Sequence, residues 1–150
     1  MARILAIDYG QKRVGLAVTD KLQIIATALD TIHSKDVVKY ISDYIKREIV
    51  ELFVVGFPKD LQNNATDATK YVEAFIKQLG KAFPDIAVEK VDERFTSKIA
   101  FRAMIDGGLK KADRRDKAMI DKISAVIILQ SYLEQKQNEN DRNKKREINV

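Results

Sequence analysis

Three acidic residues, Asp8, Glu93 and Asp121, stand where a carboxylate is costly to place. Asp8 ends the apolar run Ile4-Leu5-Ala6-Ile7. Glu93 follows the strand-like stretch Ile86 to Asp92, and Asp121 opens the apolar helical segment Ile123 to Leu129. A carboxylate beside buried hydrocarbon has to be paired, hydrogen-bonded or holding a metal. Brought together, three carboxylates supply the hard oxygen donors that suit Mg²⁺ or Mn²⁺. Two such ions, about 3.5–4 Å apart, generate a hydroxide-like nucleophile and stabilise the leaving oxygen of a phosphodiester. Asp8 would bridge both ions, with Glu93 and Asp121 holding one each. The chemistry expected is hydrolytic phosphoryl transfer on a nucleic acid, leaving a 5′ phosphate and a 3′ hydroxyl.

Taken singly, each acid has a plainer reading. Asp8-Tyr9-Gly10 also suits a turn. Glu93 also reads as a surface carboxylate paired with Arg94. Asp92 competes with it, because strand alternation sends the two to opposite faces. Asp121 adjoins Lys122, yet its helical neighbours Ala118, Ala125 and Ile128 are apolar, which places it on a face that wants burial. The basic run containing Lys110, Lys111, Arg114, Arg115 and Lys117 ends four residues before Asp121. It is expected to hold a phosphate backbone over the site, with Lys117 offsetting transition-state charge. Lys12, Arg13, Lys59 and Arg94 complete the expected substrate contacts. Gly56-Phe57-Pro58-Lys59 lacks the spacing of a nucleotide phosphate loop, so it is expected to position backbone and not to bind a nucleotide.

The elements that must position these groups follow from hydrophobic period. Arg3 to Ile7 is continuously apolar, as in a central strand buried on both faces. Arg13 to Thr19 and Gln23 to Ile32 supply two further strands, close enough in sequence for an antiparallel meander. A helix over Asp36 to Glu48 carries Val37, Tyr40, Ile41, Tyr44 and Ile45 at helical spacing, with Ser34 as its expected cap. A short strand, Leu52 to Val55, is followed by a polar loop from Lys59 to Asn64. A helix with the stripe Ala68, Tyr71, Val72, Phe75, Ile76 and Leu79 comes next, with Gly80 as its expected stop. Asp85 to Val91 reads as the fifth strand. A further helix runs from Thr96 or Ser97 through Ile105, and a last one ends near Gln135. Residues 136–150 are polar and of mixed charge and are expected to be a disordered tail.

That order predicts an α/β fold: a mixed five-stranded sheet, made of a three-strand antiparallel meander plus two parallel strands, flanked by helices. Asp8 and Glu93 then emerge at the carboxyl edge of parallel strands, where open α/β sheets keep their sites.

Composition sets the outer bounds. With 150 residues, 45% hydrophobic and 33% charged, the chain suits one folded domain, here 1–135. A net charge of +5 favours a polyanionic partner. No cysteine excludes disulfides, thiolate zinc and cysteine nucleophiles, and the single His33 reads as a loop residue. No apolar stretch approaches a membrane span and the start is unlike a signal peptide, so a cytoplasmic location is expected.

Four blocks carry a resemblance: Asp8-Tyr9-Gly10-Gln11-Lys12-Arg13-Val14-Gly15-Leu16-Ala17, Val54-Val55-Gly56-Phe57-Pro58, Asp92-Glu93-Arg94-Phe95-Thr96-Ser97, and Asp121-Lys122-Ile123-Ser124-Ala125-Val126-Ile127-Ile128-Leu129-Gln130. In this order they resemble the signature blocks of the YqgF/RuvX family, over roughly residues 3 to 133. The resemblance implies a ribonuclease H-like fold and a metal-dependent nuclease. It implies Asp8, Glu93 and Asp121 as catalytic acids, and a substrate that is either the 5′ end of precursor 16S ribosomal RNA or a Holliday junction. The chain departs from the family after Gly56. Phe57 replaces the usual Leu, and Asn63-Asn64 stands where a Gly is expected, a departure that bears on the substrate contacts the family makes through that loop and not on the metal site.

Structured RNA is the expected partner and branched DNA the alternative. A junction resolvase needs two symmetric sites, and no obvious dimer helix stands out, which predicts a monomer or weak homodimer. A non-catalytic RNA or ribosome binder would not need all three acids. An ATP-binding reading of the Asp-x-Gly hairpin would need a second lobe, for which the chain is too short.

Overall fold

The structure, a computed structural model, describes residues 2–58, 67–93 and 117–148. Strands β1 (Arg3–Tyr9), β2 (Arg13–Thr19) and β3 (Ala26–His33) form the meander. Helix α1 (Val37–Arg47), strand β4 (Val50–Phe57), helix α2 (Asp67–Ala82), strand β5 (Ala87–Asp92) and helix α3 (Lys117–Ile148) follow. The sheet order is β3-β2-β1-β4-β5. The pairs β1–β2 and β2–β3 are antiparallel, while β1–β4 and β4–β5 are parallel. This is the mixed five-stranded architecture that the element order predicts.

Both faces of β1 are covered, which is why its apolar run is unbroken. Leu5 and Ile7 join a cluster with Val37 and Ile41 of α1 and with Val72, Phe75 and Leu79 of α2. Ile4 and Ala6 face the other way and pack with Ala17, Val54, Val91, Ala125, Ile128 and Leu129. Each large apolar side chain so buried contributes roughly 1.5–3 kcal/mol. The α3 side is lined with small residues along the sheet, Ala6 and Ala17 among them, so the helix lies close to the strands.

Several element ends differ from expectation for local reasons. β3 starts at Ala26, not Gln23, because Asp20 draws the preceding backbone into a loop. Its Oδ1 accepts from Ile24 N and Ile25 N, each at 2.8 Å, and Gln23 adopts φ 59°. Ser34 does not cap α1. It belongs to a short 3₁₀ turn whose cap is His33, with Nδ1 accepting from Lys35 N at 3.1 Å. Helix α2 runs through Gly80 to Ala82; Pro84 is the true stop, since it disfavours helix at the residue before it. The last helix does not end near Gln135 but continues to Ile148. Its apolar stripe ends at Leu133, yet residues 134–148 hold no Gly or Pro and many strong helix formers, and all of them are exposed. The expected helix over 96–105 and the basic run up to residue 116 lie outside the described residues. Among the described residues no helix is long and apolar enough to cross a membrane.

Candidate active site

Asp8 is the penultimate residue of β1 and shares its face with Ile4 and Ala6, the face covered by α3. Its cross-strand partner in β2 is Gly15. On the other side, Ile7 pairs with Val55, so Gly56 comes one step further along the strand, as Asp8 does in β1. Asp8 is therefore flanked in the sheet by two glycines, and each admits one of the other acids. A Cβ at Gly15 would lie 2.1 Å from the main-chain oxygen of Asp121. A Cβ at Gly56 would lie 2.8 Å from Glu93 Oε1 and 2.5 Å from Ile128 Cδ1. Glycine leaves room for both approaches, and at Gly15, where the neighbour is backbone, no other residue would. The backbone of α3 rests on the sheet at Gly15, and the Glu93 carboxylate lies over the sheet at Gly56.

The structure thus brings all three predicted acids to one face at the carboxyl end of β1. Their exposures are 8% for Asp8, 9% for Glu93 and 7% for Asp121, so each carboxylate is largely withdrawn from water. Asp121 heads the stripe Asp121, Ala125, Ile128, Leu129, which the periodicity already placed on a buried face. Asp92 is the register partner of Phe57, whose side chain belongs to the opposite cluster beneath α1 and α2. The pleat therefore sends Asp92 to the face away from Asp8 and leaves Glu93 on its side.

Arg13, expected to contact substrate, reaches into this group. Its Nε donates to Asp121 Oδ2 at 2.8 Å, with the Arg13 side chain 46% exposed and the Asp121 side chain 10%. The turn holding Arg13 is tight, with Gly10 N donating to the Arg13 oxygen at 3.0 Å and Ser34 N donating to the Lys12 oxygen at 3.0 Å. Lys12 is exposed on that turn. Lys117 opens α3, in the turn before Asp121. Lys59, Arg94, Lys110, Lys111, Arg114 and Arg115 lie outside the described residues. Next to Asp8 the Tyr9 ring stacks on Phe75, with centroids 4.3 Å apart, which pins the end of β1 to α2. A cleft of about 440 Å³ lined by Tyr9, Gly10, Gln11, Asp67, Ala68 and Tyr71 opens at this edge of the sheet.

Three carboxylates on one face fit a hard divalent ion by donor chemistry, and the glycine cradle gives them room to approach. The set stands open: among the described residues no three acidic or imidazole groups are close enough to hold a single ion together. Among the same residues no buried side-chain polar atom lacks a hydrogen-bond partner. Sequence reasoning missed the Arg13–Asp121 pair and the function of Gly15. A glycine inside the strand Val14-Gly15-Leu16 was the available signal, since it marks a close backbone approach.

A family model described as "RuvX: Holliday junction resolvase" matches residues 2–135. A relative from Parabacteroides distasonis, named pre-16S rRNA nuclease, is 57% identical over 136 residues, covering 91% of this chain and 97% of its own length. One of the same name from Phocaeicola vulgatus is 55% identical over 136 residues, covering 91% of this chain and 98% of its own. Among solved structures, Thermus thermophilus RuvC in complex with Holliday junction substrate superposes with a TM-score of 0.57 at 14% identity, over 91% of this chain and 96% of that one. The superposition shows the ribonuclease H-like fold.

Proposed function

Because the chain belongs to the RuvX family, by a match over residues 2–135, and is a nuclease with the rest of that family, we propose that it is a metal-dependent endonuclease that processes the 5′ end of precursor 16S ribosomal RNA. The observation that carries this reading is the gathering of Asp8, Glu93 and Asp121, all buried, around the Gly15–Gly56 cradle on one face of the sheet. The names of the relatives support ribosomal precursor RNA as the substrate. The reaction is assigned to the cytoplasm and to the unit spanning residues 1–135, with 136–150 as an appendage outside the family match.

Asp8, Glu93 and Asp121 would hold Mg²⁺ or Mn²⁺, two ions in all. Bound there, the ions lower the pKa of a water and offset charge on the leaving oxygen. The chain itself orients the carboxylates. The β1–β2 ladder fixes Asp8, the seating of α3 on Gly15 fixes Asp121, and the end of β5 fixes Glu93. The covering helix excludes bulk water from their inner side, which strengthens every charge interaction in the site. Lys12 and Arg13, at the rim, face the approach of a phosphate backbone. Lys59, Arg94, Lys110, Lys111, Arg114, Arg115 and Lys117 belong to the same proposed substrate contacts.

The test is cleavage of end-labelled precursor RNA with Mn²⁺, Mg²⁺ or EDTA, with Asp8→Asn alongside. Metal-dependent cutting that the variant loses, with 5′-phosphate products, is the expected result. Equal cleavage by the variant would overturn the assignment of the acids. The family description favours a second substrate, a DNA four-way junction. Cleavage of the junction but not of the RNA, by a protein that light scattering shows to be a stable dimer, would establish that reading instead.

A further inference from the structure

We propose that Arg13 is a built-in cation that holds Asp121 in the metal-free protein, and that metal loading displaces it from that carboxylate and releases its guanidinium for a substrate phosphate. The inference deepens the metal-site reading above and rests on it. The pair is lopsided: the acid is nine-tenths buried and fixed on α3, whereas the arginine side chain is nearly half exposed. The Arg13 backbone is clamped by the Gly10 hydrogen bond and by its register with His33. What can move is the side chain, and solvent lies on its open side.

The carboxylate that Arg13 holds is one of the three that an ion would need. With Asp121 turned to the guanidinium, no acidic trio among the described residues is closed around a single point. A guanidinium and a divalent ion compete for the same oxygens and repel each other at contact distance. Arg13 holds Oδ2 of Asp121, so an ion that draws on that oxygen opens the ion pair, a discrete exchange between two arrangements of one side chain. Once off Asp121, the guanidinium stays tethered at the rim beside Asp8, with its planar donors matched to phosphate oxygens. Asp121 is thereby kept paired in the unloaded site, and the phosphate-binding group becomes available only when the metal is in place.

The test measures Mn²⁺ binding at equilibrium, by the electron paramagnetic resonance signal of the free ion, for wild type, Arg13→Gln, Arg13→Lys and Asp121→Asn. Removing a competing charge-assisted hydrogen bond, discounted for the exposure of Arg13, predicts that Arg13→Gln binds Mn²⁺ roughly tenfold more tightly than wild type. Arg13→Lys should fall between the two, and Asp121→Asn should bind more weakly than wild type. In the absence of metal Arg13→Gln should melt below wild type, and saturating Mn²⁺ should narrow that gap. Single-turnover cleavage by metal-saturated Arg13→Gln should nevertheless be slower than wild type, because the phosphate contact is gone. Tighter binding with slower cleavage is a combination that a merely structural arginine would not produce. Unchanged or weaker Mn²⁺ binding by both Arg13 variants would overturn the exchange while leaving the metal site intact. No Mn²⁺ binding by any of the four proteins would overturn the metal-site reading and the exchange with it.

Discussion

At the scale of single residues, the site depends on two glycines where an added side chain would meet obstacles of different kinds. At Gly15 the obstacle is backbone, the Asp121 carbonyl, so a methyl group can be accommodated only by lifting α3 off the sheet. At Gly56 the obstacles are the ends of two side chains, Ile128 Cδ1 and Glu93 Oε1, which can rotate away. Gly15→Ala should therefore cost about 3 kcal/mol, at the upper end for overpacking, and Gly56→Ala about 1–2 kcal/mol. Urea denaturation of the two variants measures the difference. If Gly56→Ala were the more destabilised, the seating of α3 on Gly15 would be wrong. Gly56→Ala should still lose cleavage in spite of its milder fold defect, because Glu93 is the group that has to move. Asp8→Asn should lose turnover while the protein keeps its fold, as circular dichroism of the variant checks.

At the scale of elements, helices α2 and α3 each offer a separate test. Gly80 lies inside α2, and a Cβ there would meet nothing within 4 Å. Gly80→Ala should stabilise the protein by about 0.5–1 kcal/mol through helix propensity alone. A thermal or urea melt that shows a loss would mean that the helix ends earlier than Ala82. On α3, burial pushes the Tyr132 phenol up to about 12 from its ordinary value of 10.0, with the charge of Glu89 and a hydrogen bond to it adding to the shift. The folded state therefore holds this proton more strongly than the unfolded chain. The stabilisation is fully present below pH 10 and is lost as pH rises toward 12. Burial also raises the phenols of Tyr40 and Tyr44, so ultraviolet titration of tyrosinate should show several late steps, of which Tyr132→Phe removes the last. If the variant's curve matched that of wild type, the burial of Tyr132 between α3 and the sheet would be wrong.

At the scale of the whole molecule, the edge that carries the three acids and the far end of α3 are widely separated. The helix has 32 residues, so it is about 48 Å long at 1.5 Å per residue. Asp121 sits in its second turn, and its exposed stretch, 134–148, projects beyond the apolar stripe that docks on the sheet. Ending the chain after Gln135 should lower the helical circular-dichroism signal, shift the melting temperature by no more than a few degrees, and leave cleavage intact. A large loss of stability would mean that the extension is part of the folded core.

Much of this architecture was legible along the chain. The unbroken run Ile4 to Ile7, the stripes of α1 and α2 and the burial of Asp121 are local periodicities, and a period of 2 or 3.6 survives in sequence whatever the partner element is. The carboxylates could be nominated because a charge beside hydrocarbon is conspicuous without any knowledge of the fold. Element ends were less legible. Asp20 captures backbone from Ile24 and Ile25, and α3 outlasts its apolar stripe, and neither is written in hydrophobic period. What only the tertiary structure decided is how the acids meet. Arg13 and Asp121 are 108 residues apart, and nothing local to either residue predicts their ion pair. Whether Asp92 or Glu93 turns toward Asp8 depended on the register of β5 against β4. That a glycine in β2 should carry the backbone of α3 depended on the close packing of a helix against a sheet face of small residues. Such contacts arise only when the whole chain closes on itself, because they are set by distances between elements and not by the order of residues within them.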